Sequence, residues 1–595
     1  MVRATFSGFT TALSAMQANQ KRLNITGQNL SNMNTVGYTR QQLKVSSLNY
    51  TNPISHYMNG SEISVGFGVH MDTVTRIRDP FLDVQYRNQM DRSGYTNGLQ
   101  TSLDRLANFF DESHITGIQK AFDDIQSTLT NIHDTAKVND PIFEAELRSR
   151  MEALTNLLNQ GAKDIEDAKM EEFNRLDGTG TSEQGAIQRV NDILQQIGSL
   201  NRQIKENQIH GQPSLELMDN RDVLLDELSS YLPIEVTYRK DEDHDGIDAA
   251  GNEDLSELYH LDSSGRPIMR KEWPDDLYVT MQYIDETGKS QTLKLVEGTV
   301  GVGEENHLKL EIPNTKDILD TTNPAKPGDV KLDFYALDEK GNKAGAAVLT
   351  FEKDTTTNPP KITNQFPSDS GSIQAGLDML WKDGTTDGLN DVKGYDFYMK
   401  QLDRLASAFA EVINTLNIQG TTNSVDNKPL QNYFLLANKE DGTSANITAA
   451  NIGINSEWVN GNVHISKSGD NHTDTVLHML EAMKATYPYD NLKDFDGNPL
   501  FDKVNLDNNT FANFMNHTST ILANDSYSNK IALKTNVTVL NGIENSRDSV
   551  SGVSLDEEAS NMMMYMSAYN AASRLMTTMD QALDILINST GVVGR

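Results

Sequence analysis

From Leu555 to Leu586, apolar residues recur every three or four positions without a break: Leu555, Ala559, Met562, Met566, Tyr569, Ala572, Met576, Met579, Leu583 and Leu586. Only a helix aligns such a series, and so narrow a line suits a coiled-coil seam better than a broad core. Ser554 supplies an N-cap, and Asp556, Glu557 and Glu558 put acids in the first turn. Gly591 supplies a stop. The spacing predicts one helix over 555–589. A second, weaker stripe opens the chain: Phe6, Phe9, Leu13, Met16, Leu23 and Leu30, interrupted at Gln20 and Gly27. Residues 32–38, Asn-Met-Asn-Thr-Val-Gly-Tyr, close it with a turn built on Asn32, Asn34 and Gly37, ahead of Tyr38. The ends also differ in charge. Residues 1–50 carry five basic and no acidic side chains, while the net charge of the chain is −33.

The 595 residues exceed one hydrophobic core. Helical stripes occupy 98–230: Leu99 to Phe110, Ile118 to Ile132, Leu147 to Leu158, Ile187 to Ile204, and a shorter one over 217–232. The texture changes at Pro233. Period-two alternation takes over in Ile234–Tyr238, Leu277–Tyr283, Thr292–Val296, Leu308–Ile312 and Val330–Tyr335, between turn-rich stretches. Helical pattern returns over 374–418, followed by a mixed segment near 420–470 and further helix. The expected fold is mainly α with a β insert. Residues 1–45 and 550–595 form a terminal coiled-coil inner domain. Residues 46–232 and 371–549 form a helical-bundle second domain, and 233–370 a β-rich outer domain that is separable from the rest. An intramolecular bundle and intermolecular assembly both remain open for the terminal stripes on these grounds.

Composition narrows the function. The strongly negative charge argues against nucleic acid or an anionic membrane as partner. There is no cysteine, hence no disulfide, thiolate metal site or thiol catalysis. No apolar run is long enough to span a membrane. The N-terminal stretch lacks the apolar core of a signal peptide, so any export is expected without a cleaved signal. No zinc-protease helix, nucleophile elbow, P-loop or complete dinucleotide fingerprint occurs. We expect no enzyme, no catalytic residue and no cofactor. Asp241, Asp243, Asp245 and Gly246 match the start of a calcium loop, but Asn252 stands at the twelfth place and Glu253 one place late. This reads as a solvated acidic loop, with a weak cation site as the alternative.

Specific motifs now resemble a known family. Residues 28–40, Gln-Asn-Leu-Ser-Asn-Met-Asn-Thr-Val-Gly-Tyr-Thr-Arg, resemble the N-terminal signature of flagellar rod, hook and hook-associated proteins. Residues 551–570 resemble their C-terminal signature. Gly66–Arg87, with Arg76-Ile77-Arg78-Asp79-Pro80-Phe81-Leu82 and Gln85-Tyr86-Arg87, is similar to the members that form the hook–filament junction. So are Asp219-Asn220-Arg221-Asp222 with Leu224-Leu225, and Gly371-Ser372-Ile373. The resemblance covers about 1–230, 371–420 and 540–595. It implies export unfolded through the flagellar type III pathway and an extracellular place at the junction. It also implies self-assembly as a ring-like layer through the terminal helices. The implied neighbours are the hook protein, the second junction protein and, before export, a FlgN-type chaperone on the C-terminal helix. A hook or distal rod subunit is the alternative within the family, disfavoured because those lack the long helical region with Arg221-Asp222. Flagellin carries a different N-terminal signature. A secreted coiled-coil adhesin, the alternative outside it, would need a signal peptide or wall anchor.

Overall fold

The computed structural model describes residues 7–47, 68–110, 112–134, 137, 140–178, 184–210, 212–239, 259–261, 267–269, 276–298, 305–318, 329–354, 361–384, 392–420, 433–467, 473–493, 499–501 and 504–589. It is mostly helical with small antiparallel sheets. Among the described residues no helix is long and apolar enough to cross a membrane, and no group of three or more His, Asp or Glu could hold a metal. The acidic loop at 241–246, Asn252, Glu253, Phe6 and Gly591 lie outside the described residues.

The chain begins with α1 (Ser7–Ser31) and an antiparallel hairpin, β1 (Gln41–Ser47) with β2 (Val69–Arg76). Five helices follow: α2 (Pro80–Phe109), α3 (Glu112–Ile132), α4 (Pro141–Asp177), α5 (Ala186–Ile209) and α6 (Leu215–Leu228). The insert contributes two three-stranded antiparallel sheets. One orders β3 (Ile234–Arg239), β4 (Asp276–Ile284) and β5 (Ser290–Val296). The other orders β8 (Leu349–Phe351), β7 (Leu332–Tyr335) and β6 (Lys309–Glu311). The chain returns through α7 (Gly371–Trp381), α8 (Tyr395–Gly420) and α9 (Asp474–Lys484). It ends in two long helices, α10 (Phe511–Ser551) and α11 (Leu555–Ser589).

Helix α2 starts at Pro80, well before the apolar stripe that announces it at Leu99. Asp79 caps it, its carboxylate accepting the Phe81 N–H at 2.9 Å, and Pro80 takes the first helical position. Its early turns bury Tyr95 toward Asp378 of α7, and otherwise the polar Gln89, Ser93, Thr96 and Gln100. The polar side chains face α10, which runs antiparallel. Asn529 donates to the Thr96 carbonyl (2.9 Å) and to Gln100 Oε1 (3.0 Å), and Gln89 donates to Asn536 (3.1 Å). Only the first turns of α10 bury apolar side chains, Phe511, Phe514, Met515 and Leu522. Beyond them the seam is held by amides, whose pairing fixes register.

The β insert packs against the helices. One hydrophobic cluster runs from the helices through Leu277, Leu295, Leu310 and Phe334 of the strands. The Asn191 side chain of α5 donates to the Leu310 carbonyl (2.8 Å) and accepts its N–H (2.7 Å), as a neighbouring strand would. Further along the same face Asn306 donates to the Gly198 carbonyl (2.9 Å), and Lys205 pairs with Asp276 (2.9 Å). Leu194 lies on that stripe and is fully buried. Excising 240–365 is therefore expected to lower the melting temperature of the remaining helical part. Thermal unfolding followed by circular dichroism checks this, and an unchanged transition would contradict it.

At the neck of the insert the two crossing segments run together. Ser372 N–H donates to the Ser230 carbonyl (3.0 Å). Gly371 sits at φ +69, and a Cβ there would stand 2.2 Å from the Tyr231 carbonyl oxygen. Asp91 of α2 is half-buried beside this crossing, and its desolvation pushes the carboxyl up to about 7. Arg92, the Gly371 N–H and Ser370 oppose that rise. A raised carboxyl pKa means that stability is lost as pH rises through the folded value. Asp91→Asn should raise the melting temperature at pH 8, by at most about 4 kcal/mol of stability, and change it little at pH 4. Melting curves at the two pH values test the sign.

Candidate assembly interface

Helices α1 and α11 pair antiparallel, and their contacts recur at coiled-coil intervals. A Cβ on Gly8 would collide with the Met579 methyl. Arg22 lies over the Tyr565 ring, 5.4 Å from its centroid, and Asn29 donates to Glu558 (3.3 Å). The steps along each helix are fourteen and seven residues, the spacing of a heptad seam. The seam itself is not the apolar stripe read from the sequence of α1. It runs through Gly8, Ala12, Asn19, Thr26 and Asn29, one position away, and Ala12, Asn19, Thr26 and Asn29 are buried. Small and polar residues let the helices approach closely, so the bulky row is displaced to the edge of the contact. Leu13 is exposed, and Phe9, Met16, Leu23 and Leu30 are half-buried. On α11, Ala572 and Glu558 are buried. Met562, Tyr569, Met576, Met579 and Leu583 are half-buried, while Leu555 and Met566 are exposed. Leu586 lies in α11. Seven large apolar side chains of α11 stay exposed among the described residues: Leu555, Met563, Met564, Met566, Leu575, Ile585 and Ile587.

The turn after α1 ties this pair to the rest of the chain. Asn32 and the exposed Asn34 begin it, and Gly37 takes φ +78 against the Val223 side chain. The Tyr38 hydroxyl donates to Asn29 Oδ1 (2.9 Å), which also accepts the Gln41 N–H (3.0 Å). Burial, with Asp219, Glu216 and Glu558 nearby, pushes the Tyr38 hydroxyl up to about 12, so it remains a neutral donor. Arg40 binds Glu557 (2.7 Å) and Glu558 (2.9 Å). Through this pairing the opposite charges of the two ends meet.

Helix α6 is where the motifs converge. Asp219, Asp222 and Asp226 stand three and four residues apart, on one helical face. Asp219 accepts the Thr39 hydroxyl (2.7 Å), the Thr39 N–H (3.2 Å) and Arg76 (2.7 Å). Asp222 accepts Arg76 (2.7 Å), Arg78 (2.6 Å) and Arg87 (3.5 Å). Asp226 accepts Arg87 (3.0 Å) and, from α10, Arg547 (2.6 Å), which also reaches Asp83 (3.3 Å). Arg547 stacks over the Tyr86 ring, 4.7 Å from its centroid. Burial pushes the Asp222 carboxyl up and the Arg76 and Arg78 guanidiniums down. Pairing overrides it: Asp222 ends below the usual carboxylate range and both arginines above theirs. Arg221 points elsewhere, donating to Asn201 of α5 (2.9 Å) and to the Tyr238 hydroxyl of β3 (3.3 Å). One short helix thus grips the N-terminal turn, the hairpin, α2, the penultimate helix and the insert. The sequence reading missed Arg547 and the pairing role of Glu558. The spacing of the three aspartates was the available signal.

The ion pairs around α6 and Arg40 tie the terminal helices to the rest of the chain, and the helix pair leaves large apolar side chains in solvent. Residues 103–257 match the flagellar hook-associated protein FlgK helical domain, 9–39 the flagella basal body rod protein family, and 545–589 the flagellar basal body rod FlgEFG C-terminal family. The chain is an axial structural protein of the bacterial flagellum. Within that class it is similar over its whole length to hook-associated proteins. Flagellar hook-associated protein 1 of Bacillus subtilis is 25% identical over 100% of both chains. The protein of that name from Salmonella typhimurium is 23% identical over 97% of this chain and 98% of its own. A solved flagellar hook junction protein FlgK from Burkholderia pseudomallei aligns with 60% of this chain and 46% of its own, at 17% identity and a TM-score of 0.32.

Proposed function

We propose that the subunit joins hook to filament through its terminal helix pair, which packs side by side with other copies as a ring-like layer at the hook tip. The observation that carries this is the uncovered apolar surface of α11 with exposed Leu13 beside the seam. A pair whose internal contact uses small and polar residues keeps its large side chains for neighbours. In this reading residues 1–45 and 550–595 line the inside, the helical part of 46–232 and 371–549 surrounds them, and 233–370 lies outermost. The neighbours are the hook protein and the second junction protein. A FlgN-type chaperone covers α11 before export to an extracellular site. The helical-domain match over 103–257 favours this over a hook or distal rod subunit.

Deleting the gene should leave cells with hooks but no filaments, and with flagellin shed into the medium. Electron microscopy of the deletion strain checks this. Intact filaments would sink the proposal.

A further inference from the structure

The methionines of this chain divide into two kinds. Those of the core, among them Met151, Met281, Met379 and Met515, are enclosed by other side chains. Helix α11 holds six of the chain's 22 methionines in 35 residues, and its run Met562-Met563-Met564-Tyr565-Met566 brings several of them to the surface together. Met563 is 62% exposed, Met564 55% and Met566 53%, more than any other methionine described. One residue turns a helix by about 100°. Tyr565 lies under Arg22 of α1, 5.4 Å from guanidinium to ring centroid. Met564 and Met566 therefore flank the line that faces α1, and Met563 stands nearly opposite it. The three thioethers spread over the side of α11 turned away from its partner helix.

Leucine would supply similar apolar area without a reactive atom. A thioether is oxidised by hydrogen peroxide in one two-electron step. The sulfur lone pair attacks one peroxide oxygen, the S–O bond forms as the O–O bond breaks, and the departing oxygen leaves as water with both hydrogens. Sulfur is oxidised to the sulfoxide and the peroxide is reduced. The chain has no cysteine, so no more reactive thiol of its own intercepts the oxidant. The product is nearly the same size but carries a strong hydrogen-bond acceptor. In the free chain that oxygen points into water at little cost. Against an apolar neighbour it is buried without a donor, which opposes packing.

We propose that Met563, Met564 and Met566 are an oxidation site that controls entry into the junction. Peroxide acting on a free copy bars it from the layer, while copies already in place are shielded. This rests on the axial role proposed above and adds to it a chemical regulation of the same helix face.

The test treats purified protein with hydrogen peroxide and records by peptide mass which methionines gain oxygen. Met563, Met564 and Met566 are expected to react first, and Met151 and Met379 last. Treated and untreated protein are then added to cells of the deletion strain, and the fraction of hooks bearing filaments is counted. At a dose that oxidises the three residues, that fraction should fall by about tenfold or more. Methionine sulfoxide reductases for both epimers should restore it. The triple variant Met563→Leu, Met564→Leu, Met566→Leu is compared with its own untreated sample, and the same dose should leave its fraction where that sample stands. Full attachment by oxidised wild-type protein, or an equal fall in the leucine variant, would overturn the inference and leave the axial role standing. So would oxidation of the three residues in isolated hook–filament structures as fast as in the free protein. Untreated wild-type protein that restores no filaments would instead defeat the axial reading.

Discussion

Asp222→Ala is expected to destabilise the free chain by about 3–5 kcal/mol, a large part of the roughly 5–15 kcal/mol that holds a typical domain together. The reason is the company it leaves behind. Asp222 is nearly inaccessible and faces Arg76, Arg78 and Arg87, which are almost as deeply placed. Removing it strands positive charge in a poorly solvated site, and neighbouring Asp219, Asp83 and Asp226 are already engaged. Asp222→Asn keeps the shape and should still cost most of that amount, because the loss is of charge. The pH dependence follows from the depressed Asp222 carboxyl. Its stabilisation is complete above the unfolded value of about 4 and fades as pH falls through the lower folded value. Wild-type protein should therefore lose stability below about pH 4 more steeply than Asp222→Asn. Denaturant unfolding at pH 7 and pH 3 checks both statements. A variant as stable as wild type at pH 7 would show that the arginines find other partners.

The second large effect belongs to assembly alone. Met566 is 53% exposed, and Met563 and Met564 are exposed beside it. A charge placed there meets water in the free chain but an apolar neighbour in the proposed layer, where burying it without a partner costs several kcal/mol. Met566→Asp should leave the thermal transition where it is and abolish filament attachment. Leu583→Asp is the poorer probe, because Leu583 is already half-buried in the single chain. Normal filaments on cells with Met566→Asp would remove this face from the interface.

How far the sequence could be read differs by element, for physical reasons. Helix α11 was legible to its ends, because its apolar period is continuous and acids crowd its first turn. Helix α1 was legible as a helix but not in its packing. Periodicity finds the bulky row, and the seam chose the small and polar row one position away. The early turns of α2 carried no period, since their buried face toward α10 is Gln89, Ser93, Thr96 and Gln100. The β1–β2 hairpin escaped for a similar reason, as most of its side chains are solvated. The motifs around Arg76, Arg78 and Asp219 to Asp222 stood out singly. Their meeting on α6 joins residues well over a hundred positions apart, and local pattern holds no record of that. Arg547 was invisible for the same reason, being a single arginine on a largely solvated helix.

The central claim is a division of labour: α6 anchors a rigid base, and the helix pair beyond it is completed only by neighbours. Among the described residues the pair buries few apolar side chains, Ala12, Ala18, Ile25 and Ala572. Ordering a residue costs about 1–2 kcal/mol of backbone entropy, and isolated helices are marginal in water. Amide hydrogen exchange on dilute monomer tests this most directly. The account predicts slow exchange across α5, α6 and the second half of α2, and fast exchange across about 7–25 and 560–589, becoming slow in assembled junctions. Strong protection of 560–589 in a monomer shown to be free of oligomers would contradict it.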